Sequence, residues 1–165
     1  MFYLGIDQHR KQLTVALRDE QGNLVLGRQV STTWKRVRDF FASVREQCAG
    51  DGGFVAILEV CGFNDWLLKL LEEYGCQEIV LIQAEDRARR KTDRRDASRL
   101  SELLWINRQR LLAGQPVHGL RRIVPPSPED RENRQLTSLR KRLTDQRTRL
   151  INRIKRVINK YNLGE

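Results

Sequence analysis

The chain has 165 residues, 39% of them apolar, and carries 31 Lys and Arg against 21 Asp and Glu, a formal net charge of +10. This length suits one domain with an appendage, and the apolar content supports a real core rather than wholesale disorder. No apolar run approaches the ~20 residues of a membrane span, and Met1 to Asp7 offers neither a basic leader region nor a cleavage site, so a cytoplasmic protein is expected.

The charge is unevenly spread. Residues 1–86 hold 9 Lys and Arg and 13 Asp and Glu (net −4), whereas residues 87–165 hold 22 and 8 (net +14). Such asymmetry points to a polyanionic partner, most simply nucleic acid. A basic helix lying on a membrane is the rival, but these segments lack the continuous apolar face it needs. Cys48, Cys61 and Cys76 are odd in number and widely spaced, which disfavours a disulfide framework or a structural zinc site; they read as small core or helix residues.

Phe2 to Ile6 is an apolar run that stops at Asp7, as a buried strand would. Lys11 to Arg18 and Leu24 to Val30 alternate around the turn Asp19-Glu20-Gln21-Gly22-Asn23, so the first three strands read as an antiparallel meander. Ser31-Thr32-Thr33 offers a helix N-cap, and Val37, Phe40, Phe41, Val44 and Cys48 follow at helical spacing until the glycines of 50–53. Phe54 to Leu58 is a second unbroken apolar run, ending at Glu59. A helical stripe follows through Trp66, Leu67, Leu70, Leu71 and Tyr74, opened by Asn64 or Asp65 and closed by Gly75. Glu78 to Ile82 is the fifth strand candidate. Trp34, Trp66 and Trp105 fall within helical stripes and read as core residues rather than base-stacking platforms.

A basic helix follows, with Arg87, Arg89, Arg90, Lys91, Arg94 and Arg95 around Asp93 and Asp96. Those two acids share one helical face because they lie three residues apart. Gly114-Gln115-Pro116 ends this region. Pro125-Pro126-Ser127-Pro128 then gives a linker and a strong helix start, with Ser127 as N-cap and Pro128 at the first helical position. From there to Gly164 no breaker occurs, and Leu136, Leu139, Leu143, Leu150, Ile154, Val157 and Tyr161 form a stripe that should seek a partner helix. The expected organisation is a domain over 1–115, a linker over 116–126 and a long dimerisation helix over 127–163.

Asp7 and Glu59 end the first and fourth strands, which can lie side by side and parallel in an α/β sheet. With Asp93 and Asp96 brought to the same point, four carboxylates would repel one another unless they held hard divalent ions. Two such ions can activate a nucleophile and stabilise the leaving oxygen of a phosphodiester. Each acid also has a local explanation: Asp7 can simply end a strand, Glu59 can pair with a nearby arginine, and Asp93 and Asp96 can pair along their helix with Arg89, Arg90, Lys91 or Arg99. The joint pattern favours the metal. His9 can position Asp7 or a phosphate, or be an ordinary structural histidine; His118 falls in the linker.

The order βββαβαβα followed by a long helix, with these acids, resembles the ribonuclease H-like fold in its RuvC-type version. Gly5-Ile6-Asp7-Gln8-His9-Arg10, Leu58-Glu59-Val60-Cys61-Gly62 and above all Lys91-Thr92-Asp93-Arg94-Arg95-Asp96-Ala97 resemble the three signatures of the DEDD transposases. These recombinases of bacterial and archaeal mobile elements join a RuvC-like domain to a C-terminal domain with a catalytic serine, and some are guided by a structured RNA. The resemblance covers roughly residues 2–160. It implies Asp7, Glu59, Asp93 and Asp96 as catalytic, metal-binding acids for Mg²⁺ (Mn²⁺ as substitute), with DNA and a guide RNA as partners and the long helix as a homodimer contact. Gln8 and Val60-Cys61 depart from the family pattern, which more often has a small or aliphatic residue and Ala-Thr there.

The sequence ends at Glu165, before the serine-bearing domain, so full strand exchange is not expected of this segment alone. The alternative is a nucleic-acid-binding and dimerisation module from a truncated transposase whose acids no longer catalyse. An actin-like ATPase sharing the core fold is disfavoured, since no paired glycine-rich phosphate loops are visible.

Overall fold

The computed structural model describes residues 1–61, 64–84, 93–124 and 127–162. An apolar run and two alternating segments pair as the antiparallel meander that their patterning predicts: Phe2–Gln8 (β1), Gln12–Arg18 (β2) and Leu24–Ser31 (β3). Asp19 builds the β2–β3 turn, its carboxylate accepting hydrogen bonds from the Asn23 backbone N–H at 2.8 Å and from Asn23 Nδ2 at 3.0 Å. Gly22 completes that turn at φ +87°, where a side chain would also strike the Trp105 ring.

Helix α1 (Trp34–Cys48) and a short 3₁₀ turn (Ala49–Asp51) lead into β4 (Phe54–Glu59), which pairs parallel with β1. Helix α2 (Asp65–Glu73) leads to β5 (Cys76–Ala84), parallel to β4. Helices α3 (Asp93–Ile106) and α4 (Arg108–Leu112) precede β6 (Leu120–Arg122), which pairs antiparallel with β5. The six-stranded sheet has the order β3-β2-β1-β4-β5-β6. This mixed α/β architecture is consistent with the ribonuclease H-like fold expected from the sequence. Helix α4 and strand β6, which falls inside the stretch expected to be linker, are additions; three residues with two arginines carry no strand periodicity to read.

Strands β1, β2 and β4 are buried on both sides, whereas the edge strand β3 is mostly exposed. One face packs Leu4, Ile6, Leu13, Val15, Leu17, Ala56 and Leu58 against Phe40, Phe41 and Val44 of α1 and Leu67, Leu70 and Leu71 of α2. The other packs Tyr3, Val55, Ile57, Val80 and Ile82 against Leu100 and Leu104 of α3 and Leu111 of α4. Cys48 lies in the first core, whereas Cys61 and Cys76 are half-buried, on the loop after β4 and at the start of β5, not in helices.

The chain divides into two compact units, Met1–Val124 and Pro125–Glu165. The second is α5 (Pro128–Lys160), begun as the sequence predicts: the Ser127 hydroxyl accepts the Asp130 backbone N–H at 3.0 Å. At 33 residues it is about 50 Å long, and Leu136, Leu139, Leu143, Leu150, Ile154, Val157 and Tyr161 along it are exposed. Among the described residues no helix is long and apolar enough to cross a membrane.

Candidate metal and nucleic-acid site

The register of the central strands decides which acids meet. Strands β1 and β4 pair in parallel through Ile6↔Leu58, so Asp7 and Glu59, one residue further on, end adjacent strands roughly 5 Å apart. Side chains alternate between faces, and Tyr3, Val55 and Ile57 face α3. Gly5, Asp7 and Glu59 therefore face α3 as well.

Helix α3 reaches that face because Gly5 has no side chain. A Cβ there would fall 2.3 Å from the Ala97 carbonyl oxygen and 2.4 Å from the Ser101 nitrogen, so the helix backbone rests directly on β1. Arg18 on β2 fixes its rotation, donating from Nε to Ser101 Oγ at 3.2 Å and from Nη2 to Ser98 Oγ at 3.4 Å. From Gly5 the helix runs towards the β2–β3 turn, where Trp105 Nε1 donates to the Glu20 carbonyl at 3.0 Å. Its first turn, with the backbone of Asp93 and Asp96, thus lies beyond Gly5, over the row that contains Asp7. Ser98 turns towards β2 and Leu100 towards the β4 and β5 side chains; Asp96, one turn before Leu100, shares the β4 side with Glu59.

Two side-chain oxygens on this face are shut away from solvent with no hydrogen-bond partner among the described residues: Asp96 Oδ2 and Thr14 Oγ1. Thr14 is the cross-strand neighbour of Asp7. A buried carboxylate oxygen without a donor is costly unless a cation meets it, so the donor set fits a hard divalent ion. Among the described residues no three His, Cys, Asp or Glu side chains form a ready group of metal ligands. What is brought together is the Asp7–Glu59 pair of strand ends, with the first turn of α3 above it. The side chains of Asp93, Arg94 and Arg95, and all of Arg87, Arg89, Arg90 and Lys91, lie outside the described residues.

Asp7 is held by His9, with 3.0 Å between Oδ2 and Nε2; the Asp7 side chain is only 12% exposed and that of His9 37%. Asn64 holds the other strand end. It is the N-cap residue of α2 but its side chain makes no capping bond. Instead, Nδ2 donates to Gln8 Oε1 at 2.9 Å and to the Glu59 carbonyl at 3.2 Å, while Oδ1 accepts the Cys61 backbone N–H. Cys61 Sγ also reaches Gln8 Oε1, at 3.7 Å. Gln8 and Cys61, two of the positions that depart from the family pattern, thus touch each other and share Asn64.

Sequence reasoning missed the roles of Asn64, Thr14 and Gly5. Asn64 is easily taken for a cap, which its type and place suggest equally well. Thr14 carries no signal of its own, whereas a glycine inside a strand is a recognised sign of close backbone approach.

A mixed α/β sheet in this order, with acids ending its adjoining central strands, is consistent with the ribonuclease H-like class. Comparison with known families narrows the class: the profile described as Transposase, that of the DEDD transposases, matches residues 4–163. The chain belongs to that family. No curated protein matches it.

Proposed function

We propose that the Met1–Val124 unit is the RuvC-like catalytic domain of a DNA transposase or recombinase, with Asp7, Glu59, Asp93 and Asp96 holding Mg²⁺, or Mn²⁺ in its place, for phosphodiester chemistry in transposition. The observation that carries this reading is the seat of α3 on Gly5, which sets the helix's first turn over the paired ends of β1 and β4. Bound there, a divalent ion supplies Lewis acidity to a phosphodiester and lowers the pKa of a nucleophilic water or hydroxyl. His9 orients the Asp7 carboxylate, and Asn64 fixes the backbone that carries Glu59 relative to β1.

Arg87, Arg89, Arg90, Lys91, Arg94 and Arg95 contact the phosphates of DNA and of a structured guide RNA. Helix α5 pairs with a second copy through Leu136, Leu139, Leu143, Leu150, Ile154 and Val157, which supports a homodimer or higher oligomer. The setting is the bacterial or archaeal cytoplasm, at the nucleoid.

The test is cleavage of branched DNA with Mg²⁺ by wild type and Asp7→Ala. Metal-dependent cleavage that disappears in the variant supports the reading. Cleavage that survives it removes Asp7 from the chemistry and overturns the reading, and DNA binding with no metal-dependent cleavage by wild type replaces it with the non-catalytic module.

A further inference from the structure

The rim of the sheet that carries Asp7 and Glu59 also carries an aromatic pair, one exposed ring backed by a partly buried one. Strand β3 runs parallel to β1, because each is antiparallel to β2, and β4 is parallel to β1. Helices α1 and α2, which follow β3 and β4, therefore both begin at this rim. Trp34 opens α1 and Trp66 lies in the first turn of α2. Their rings meet edge to face, with centroids 5.9 Å apart and planes at 79°. Trp34 was expected in the core, yet it is 59% exposed. It stands on the opposite side of the sheet from α3, at the same end.

Cations surround the pair. The Arg38 guanidinium lies 5.5 Å from the Trp34 ring centroid, and Lys35 is the next exposed residue along α1. The β1–β2 turn brings exposed Arg10 and Lys11 beside the start of α1, tied there by Thr32, whose N–H donates to the Lys11 carbonyl at 3.1 Å and whose hydroxyl donates to the Arg10 carbonyl at 3.2 Å. Of the neighbouring acids, Glu73 already faces Arg38 at 3.7 Å, and Asp39 and Asp65 are exposed. Solvent-facing indole beside flexible cations is the chemistry by which proteins hold unpaired nucleotides: bases stack on the ring and phosphates meet the cations, largely regardless of sequence.

We infer that Trp34, with Trp66 behind it and Arg10, Lys11, Lys35 and Arg38 around it, is a stacking platform for an unpaired stretch of nucleic acid at the rim of the candidate active site. A duplex keeps its bases stacked on one another and cannot use such a ring; a frayed, branched or single-stranded segment can. This inference builds on the proposed function but concerns a different surface, so the two can fail separately.

The experiment uses the full chain and measures fluorescence anisotropy with labelled 12-nucleotide single strands of mixed sequence, as DNA and as RNA, and with the matching DNA duplex. Trp34→Ala should weaken single-strand binding about tenfold and leave the duplex nearly unchanged, while Trp34→Phe retains most of the affinity. The double variant Arg10→Ala, Lys11→Ala should weaken binding and flatten its dependence on salt. Loss with the DNA strand, the RNA strand or both supports the platform and says which it serves. Unchanged single-strand affinity in a Trp34→Ala protein with a wild-type melting curve, equal losses on strand and duplex, or no single-strand binding by wild type would overturn it. Selective loss in Trp34→Ala alongside a wild type that never cleaves DNA would keep the platform and remove the catalytic proposal.

Discussion

The two faces of the sheet are built from different materials. The face under α1 and α2 is filled with large aliphatic and aromatic side chains, among them Phe40 and Phe41 in edge contact at 5.1 Å. The face under α3 has an apolar patch of its own, Tyr3, Val55, Ile57, Val80 and Ile82, but beside it stand Gly5, where a strand would ordinarily carry a side chain, Thr14, Arg18 and the two acids that end β1 and β4. Large side chains hold elements apart at a fixed distance and stabilise them by burial. Small ones let a helix backbone come close enough to bring its polar termini to the strand ends. The first face should therefore answer to mutation mainly in stability, and the second mainly in metal binding and chemistry.

The largest effect should come from Phe41→Ala, which leaves a cavity in the first face and costs about 4 kcal/mol. Urea denaturation would measure it, and any protein that still folds should bind Mn²⁺ as wild type does. Gly5→Ala probes the other face, since even one methyl group cannot share space with the Ala97 carbonyl. A loss of about 3 kcal/mol is expected, together with weakened Mn²⁺ binding, because α3 must lift from β1. Were Gly5→Ala as stable as wild type, the close seat of α3 would be wrong.

Replacing a site acid should separate the faces cleanly. Asp96→Asn removes a buried charge without changing shape, so stability in metal-free buffer should hold or rise. Metal-dependent cleavage should fall on the order of a hundredfold or more, as expected when several kcal/mol of charge stabilisation are lost. Asn64→Ala cuts the ties among Gln8, Cys61 and the Glu59 carbonyl and should reduce cleavage roughly tenfold, the scale of an outer positioning residue.

The mildest test concerns the thiols. Burial pushes Cys48 up to about 11, and it pushes Cys76 up to about 12 against hydrogen bonds that favour the thiolate. The unfolded chain ionises them near 8.5, so their contribution to stability is whole below that pH and declines as pH rises towards 11. Iodoacetamide at pH 8 should leave both unmodified while the protein is folded; rapid labelling of Cys48 would contradict its place in the core.

The first face was legible in the sequence because burial on both sides writes unbroken apolar runs, as in Phe2 to Ile6 and Phe54 to Leu58, and because Val37, Phe40, Phe41 and Val44 keep helical spacing. The places of Asp7 and Glu59 at the ends of β1 and β4 were legible for the same reason: each run stops at an acid. Strand β6 was not, since it is held by pairing with Ile82, Gln83 and Ala84 rather than by a period of its own. Nor was the exposure of Trp34, because helical spacing tells which residues share a stripe and not whether a neighbour covers its end. Asn64 does open α2 as its place suggests, but its tie between strand ends was not legible, because one residue type serves equally as helix cap and as such a tie.

The most direct test of a shared cation site is calorimetric titration of Mn²⁺ into wild type, Asp7→Ala, Glu59→Gln and Asp96→Asn. Residues from β1, β4 and α3 that serve one site should each abolish or greatly weaken the same saturable binding, with the three variants alike. Wild-type Mn²⁺ affinity in Asp7→Ala would mean that the strand ends and the helix do not hold an ion together.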